Sequence, residues 1–126
     1  MNANKGKNKG GAKYTPLTDD DVYKVMEMAF SDLIKDEDIA DDVAERYEYE
    51  EYCDRPGTFF IDYNAETWRK AEAFCAAVCG AAWALGHFAE VQTRWSDNLG
   101  DGGKRRLVSV YVAASDVIDE DGHAVA

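Results

Sequence analysis

Histidine, proline and cysteine are scarce in this chain, and cations are scarce where it is most acidic. Two histidines, two prolines and three cysteines occur among its 126 residues. An odd cysteine count in no framework spacing excludes a disulfide scaffold of the secreted kind. Cys75 and Cys79 sit in an apolar run and read as small buried side chains. That usage fits a reducing compartment, so the expected localisation is cytoplasmic. The lysine-bearing start of the sequence has no apolar core of the kind a secretory signal needs. The longest apolar run, 73–85, falls short of the about 20 residues that span a bilayer.

These scarcities also limit the chemistry. Cys75, Cys79 and His87 are the nearest approach to a zinc set. Zinc needs three or four convergent ligands, usually with a Cys-x-x-Cys knuckle, and a four-residue step on an apolar helix does not supply one. A Cys–His nucleophile built from the same residues would bury its thiol where a thiolate is disfavoured. Two segments imitate calcium loops in part. Asp119, Asp121 and Gly122 follow a Val117 that fills the first ligand position, and Asp97, Asp101 and Gly102 surround a Leu99 that replaces another. The glycines at 100–103 precede an expected strand instead of joining a strand to a helix, so they read as a turn and not a phosphate cradle. Carboxylates are too numerous for any pair to stand out as an acid and a base. The sequence therefore predicts a non-enzymatic protein with no cofactor and no metal.

Acid is what the chain has in excess. Asp and Glu number 25 against 14 Lys and Arg, for a net charge of −11. Fifteen of those acids lie within 18–54, facing only Lys24, Lys35 and Arg46, a local charge of −12. Charge of one sign at this density repels itself and weakens the compact state. It also opposes direct binding to nucleic acid, which needs cations for its phosphates, and to anionic membrane surfaces. A surface of this kind suits a basic protein partner. With 46% hydrophobic and 12% aromatic residues the chain is expected to fold. Its length corresponds to one domain able to hide roughly two thirds of its unfolded surface.

Along the chain, 1–13 reads as a flexible basic arm carrying Lys5, Lys7, Lys9 and Lys13, 14–115 as a single domain, and 116–126 as an acidic tail. Thr18 with Asp21 forms a capping box, and Leu17 and Val22 stand where a hydrophobic staple would. Val22, Val25, Met26, Ala29, Phe30, Leu33 and Ile34 then trace one helical stripe. Asp36 caps a second helix with a thinner stripe of Ile39, Ala40, Val43, Ala44 and Tyr47. Beyond Tyr47 the alternating Tyr-Glu-Tyr-Glu-Glu-Tyr frays or extends it, until Pro56-Gly57 turns the chain. Residues 58–63 read as a strand. Asn64 caps a third, nearly all-apolar helix over about 65–85, with Tyr63 and Trp68 as its staple. Gly86 closes it, and Gly80 permits a close backbone approach. Residues 87–95 and 105–113 alternate and form a hairpin across 96–104. The predicted fold is α+β, in the order α-α-β-α-β-β, with a small mixed sheet of about three strands on a central apolar helix. A crossover through that helix would make the first two strands parallel neighbours.

The candidate partner-binding residues are Asp36, Glu37, Asp38, Asp41, Asp42, Glu45, Glu48, Glu50 and Glu51, with Tyr47, Tyr49 and Tyr52 at the edge of the acidic face. Fixed carboxylates on helices imitate rows of phosphates and steer basic proteins by long-range attraction. Tyrosines among them bury large area at modest entropic cost. In composition alone, 18–54 resembles the small acidic proteins that block nucleic-acid enzymes, such as phage anti-restriction and anti-CRISPR proteins and nuclease immunity proteins. The resemblance implies an inhibitor or regulator of a basic, nucleic-acid-binding protein, with a nucleic-acid mimic as one form of it, and assigns no residue a role. Two other readings remain open. One is a small-ligand or enzymatic site near Trp68, Trp83, His87 and Trp95. The other is a homodimer formed through the alanine-rich helix or a strand edge.

Overall fold

The computed structural model describes residues 16–96 and 105–115. The proposed arm and tail and both partial calcium loops lie outside them. Three helices and four strands run in the order α1 (Asp19–Leu33), α2 (Glu37–Arg46), β1 (Tyr47–Glu51), β2 (Phe59–Ala65), α3 (Trp68–Ala84), β3 (His87–Ser96) and β4 (Arg105–Ala114). The α+β class is as expected. The sheet is not: among the described residues it has four strands, ordered β1-β2-β4-β3, and every neighbouring pair is antiparallel.

The fourth strand comes from the Tyr-Glu alternation that the sequence reading placed at the end of α2. Tyr47 leaves the helix with φ −80° and ψ 151°, so α2 passes into β1 with no intervening loop. Helical periodicity would scatter these tyrosines and glutamates around an axis. A period of two puts Tyr47 and Tyr49 toward the helices and leaves Glu48 and Glu50 in solvent on the other face. The expected parallel pair is corrected as well. Strands β2 and β3 do run the same way, but β4 lies between them and hydrogen-bonds to both. The chain crosses over through α3 by two strand positions, and the returning hairpin strand fills the gap.

All three helices stack on one face of the sheet. α3 lies across β2, β3 and β4, and α1 packs against it with Tyr23 and Phe30 reaching β1. β2 shows the sidedness plainly: Phe59, Ile61, Tyr63 and Ala65 are buried, while the residues between them are half-buried. The core is continuous from Val22, Val25, Met26 and Ala29 of α1, through Phe74 and Val78 of α3, to Ile61, Val108, Val110 and Val112 of the sheet. The Thr18–Asp21 capping box is present and the α1 stripe is buried, except that Phe30 is half-buried and Ile34 is exposed at the C-cap.

The third helix starts later than expected. β2 continues to Ala65, and Thr67, not Asn64, accepts the Lys70 amide as N-cap. Gly86 closes the helix with φ +87°, as a C-terminal glycine should. Gly80 brings no backbone close. It is exposed, and a Cβ built there would meet nothing within 4 Å. Nor is α3 buried all round, since Trp68, Arg69, Glu72, Ala76, Trp83 and Ala84 are exposed.

Candidate docking surface

The twelve acidic and tyrosine candidates do not form one helical face. Those on and next to α2 divide according to which cations reach them. Asp36 caps the helix through the Ile39 amide and accepts a 2.8 Å bond from Arg69 Nη1. That bond, first, and the cap hold its carboxyl below the usual carboxylate range. Asp38 lies 3.9 Å from both Arg69 and Lys70, and Lys70 is 3.0 Å from Glu66. The N-terminal turn of α3 thus supplies two cations to the start of α2. The Arg69 pairs are largely exposed and contribute little to stability, whereas Lys70 is itself buried.

Asp42 is a structural residue. Burial works against its charge, but the Tyr63 hydroxyl, the Arg46 Nε at 2.9 Å and the charge of Lys70 outweigh that and keep its carboxyl low. Tyr63 itself is fully buried and donates its O–H to Asp42. Burial, then the carboxylate beside it, push its phenol far above the ordinary tyrosine range. This bond ties α2 to the middle of β2.

Glu37, Asp41 and Glu45 are different. They recur every four residues along α2, so they share one side of it, and all three are exposed. Among the described residues none of them forms an ion pair. The row is about 12 Å long at a rise of about 1.5 Å per residue.

Past Arg46 the acidic surface turns onto the sheet. Glu48 and Glu50 are exposed on the helix-free face of β1, opposite Asp62 and Phe60 of β2. The register carries the Glu50 row across the sheet through Phe60 and Tyr111 to Glu90. Here an aromatic group lies between carboxylates. Tyr52 meets Phe60 edge-on at 5.2 Å between ring centroids, Phe60 lies 5.2 Å from Tyr111, and Phe88 closes the group at 6.3 Å from Tyr111. A cavity of about 290 Å³ opens beside it, lined among the described residues by Glu50, Glu51, Tyr52, Cys53, Phe60 and Gln92. Phe60, Phe88, Glu90 and Tyr111 were not among the sequence candidates. Their alternation was visible, but only the register brings them beside Glu50.

The three tyrosines divide too. Tyr47 packs edge-on against Phe30, and Tyr49 packs against Phe59 while bonding the Tyr23 hydroxyl at 3.1 Å, so both serve mainly as packing under the helices. Only Tyr52 reaches the sheet face. Glu51 is held by accepting the Gly57 amide at 2.7 Å.

The alternative tryptophan site does not assemble as a unit. Trp68 lines a second cavity of about 230 Å³ with Ala71, Glu72, Cys75, Val91 and Val108. Trp83 stands at the other end of α3, about 22 Å along its axis. His87 is half-buried at the start of β3, and the Trp95 side chain lies outside the described residues. Cys79 is buried and Cys75 half-buried, and burial pushes the Cys75 thiol up to about 12, so it is a poor nucleophile. Among the described residues no three His, Cys, Asp or Glu side chains converge as metal ligands, and no helix is long and apolar enough to cross a membrane. Compared with known proteins, the chain matches no family model, no curated protein and no solved structure.

Proposed function

We propose that this protein is a non-enzymatic acidic docking protein that binds and regulates a basic protein, most naturally one whose cations serve to hold nucleic acid. The observation that carries the reading is a run of exposed carboxylates in two groups, Glu37, Asp41 and Glu45 along α2 and Glu48 and Glu50 on the helix-free face of β1. Side chains that hold the fold, Asp36 and Asp42, are paired; this run forms no ion pair among the described residues. The half-buried Tyr52 and Phe60 beside Glu50 add what charge alone lacks, aromatic area that can stack on guanidinium groups.

The spacing favours docking over close imitation of a duplex. One carboxylate per helical turn is one charge per about 6 Å of axis, whereas one strand of DNA carries a charge per about 3.4 Å. A partner's nucleic-acid groove would be attracted to this surface without reading it as a full phosphate row.

The test is capture from the source cell's lysate by the tagged protein, with duplex DNA or RNA as competitor and salt as the variable. The expected result is capture of a basic nucleic-acid-binding protein, weakening steeply as ionic strength rises toward 0.5 M. Release by the competitor means that protein and nucleic acid share one site on the partner. The decisive variant is Glu37→Gln, Asp41→Asn, Glu45→Gln and Glu50→Gln together. It spares Asp42 and should fold normally while losing at least tenfold in affinity. Capture that ignores both salt and this variant refutes the reading.

A further inference from the structure

The two edges of the sheet are treated differently by the sequence. An edge strand offers unpaired backbone groups to any other strand, and soluble proteins blunt such edges with charge, bulges or short length. β1 is five residues long and carries Glu48, Glu50 and Glu51. β3 is ten residues long, contains neither proline nor glycine, and its charged residues are one acid and one base, Glu90 and Arg94. Its outer edge has no strand partner among the described residues.

The helix layer covers the start of β3, where Ala89 is buried, but not its middle. Val91, whose neighbour Val110 is fully buried, is 42% exposed. Trp68 above it is 43% exposed, and the two flank the cavity of about 230 Å³ between α3 and this edge. An aliphatic side chain on the helix-facing side of the sheet is thus left open where α3 passes the middle of β3.

We propose that a second copy of this chain covers this edge, with β3 pairing antiparallel to β3 about a two-fold axis at Gln92. The charges select that register. Glu90 and Arg94 stand two residues either side of Gln92, so each Glu90 falls opposite the partner copy's Arg94, and both pairs form at once. Val91 falls opposite Thr93, and positions 88 through 96 all find a partner. The result is one eight-stranded antiparallel sheet with α3 of each copy flanking the seam, an isologous interface that closes on itself and leaves the two β1 strands as its blunted outer edges. The −12 of residues 18–54 does not oppose this. Nearly all of that charge lies on α1, α2 and β1, and β1 is at the opposite edge of the sheet.

The test is sedimentation equilibrium of the full chain between 1 and 100 µM (about), with four variants. The wild type should be a dimer in this range. Glu90→Arg and Arg94→Glu each place like charges opposite one another twice, and each should weaken association about tenfold or more. The double variant E90R/R94E restores both pairs in reversed sense and should dimerise again. Val91→Lys, at an already exposed position, should be monomeric with an unchanged far-UV spectrum. A monomeric wild type overturns the proposal, as does a dimer indifferent to both single charge reversals, or a double variant that fails to recover while remaining folded. Capture of the basic partner is read separately, so loss of one result does not imply loss of the other.

Discussion

Tyr63 shows how a single side chain couples the acidic helix to the sheet. It is fully buried, packs tilted against Phe74 at 5.0 Å between centroids, and its hydroxyl donates to Asp42. Tyr63→Phe keeps the packing and removes the donor to a charged acceptor, so it should cost about 1.5–3 kcal/mol in urea unfolding. The pair also fixes the shape of the pH profile. Asp42 has its carboxyl lowered in the fold, so its contribution is present above its ordinary 3.8 and is lost as pH falls through the lower folded value. Tyr63 has its phenol raised, so its contribution is present below its ordinary 10.0 and is lost as pH climbs beyond that toward the folded value. Thermal melting of Tyr63→Phe from pH 2 to 11 should therefore show both the alkaline and the acid decline reduced, the alkaline remainder including Tyr49, whose phenol its bond with Tyr23 raises to about 12. An unchanged alkaline arm would mean that another group titrates there. Gly86 makes a simpler case. Nothing lies within 4 Å of a Cβ at this position, so Gly86→Ala meets only the backbone cost of φ +87°, about 1 kcal/mol, readable as a shift in the same urea midpoint.

At the level of elements, local signals were legible and long-range ones were not. The Thr18–Asp21 box, the Asp36 cap and the Gly86 closure depend on residues within one turn, and each is where the sequence placed it. β1 was missed because Tyr47–Glu51 is only five residues long and directly follows a helix, so its alternation competed with a longer helical pattern. The cap of α3 was misplaced because Asn64 and Thr67 are both good caps, and the pairing of β2 with β4 as far as Ala65 decides between them. Strand order was hidden for a deeper reason. Whether β3 pairs with β2 or leaves a gap is settled by β4, whose valines find both neighbours only after the crossover is made. The candidate surface followed the same division. Its α2 carboxylates were visible as sequence, whereas the Glu50–Phe60–Tyr111–Glu90 row exists only through register.

For the whole molecule, the segregation of charge is the organising fact. Acid collects on α1, α2 and β1, and the opposite edge of the sheet is nearly neutral. Self-repulsion within the acidic half should be relieved by screening. The free protein is therefore expected to gain thermal stability between 20 and 300 mM salt (roughly), while its grip on a basic partner weakens over the same range. Measuring both in one titration separates the two uses of the same carboxylates. A melting temperature that falls with added salt would show that the ion pairs to Arg69, Lys70 and Arg46 matter more than the repulsion.

The placement of β4 has a consequence for how the chain is made. The strand that occupies the centre of the sheet is the last one to be synthesised among those described. Until it arrives, β2 and β3 have no common neighbour, and the hairpin of β1 with β2 holds a half-sheet whose inner valine partners are still missing. During synthesis α1, α2 and α3 are therefore made before the strand that joins β2 to β3. Charge repulsion among their carboxylates would then act as a chaperone of its own, keeping unfinished chains apart until β4 threads between its neighbours.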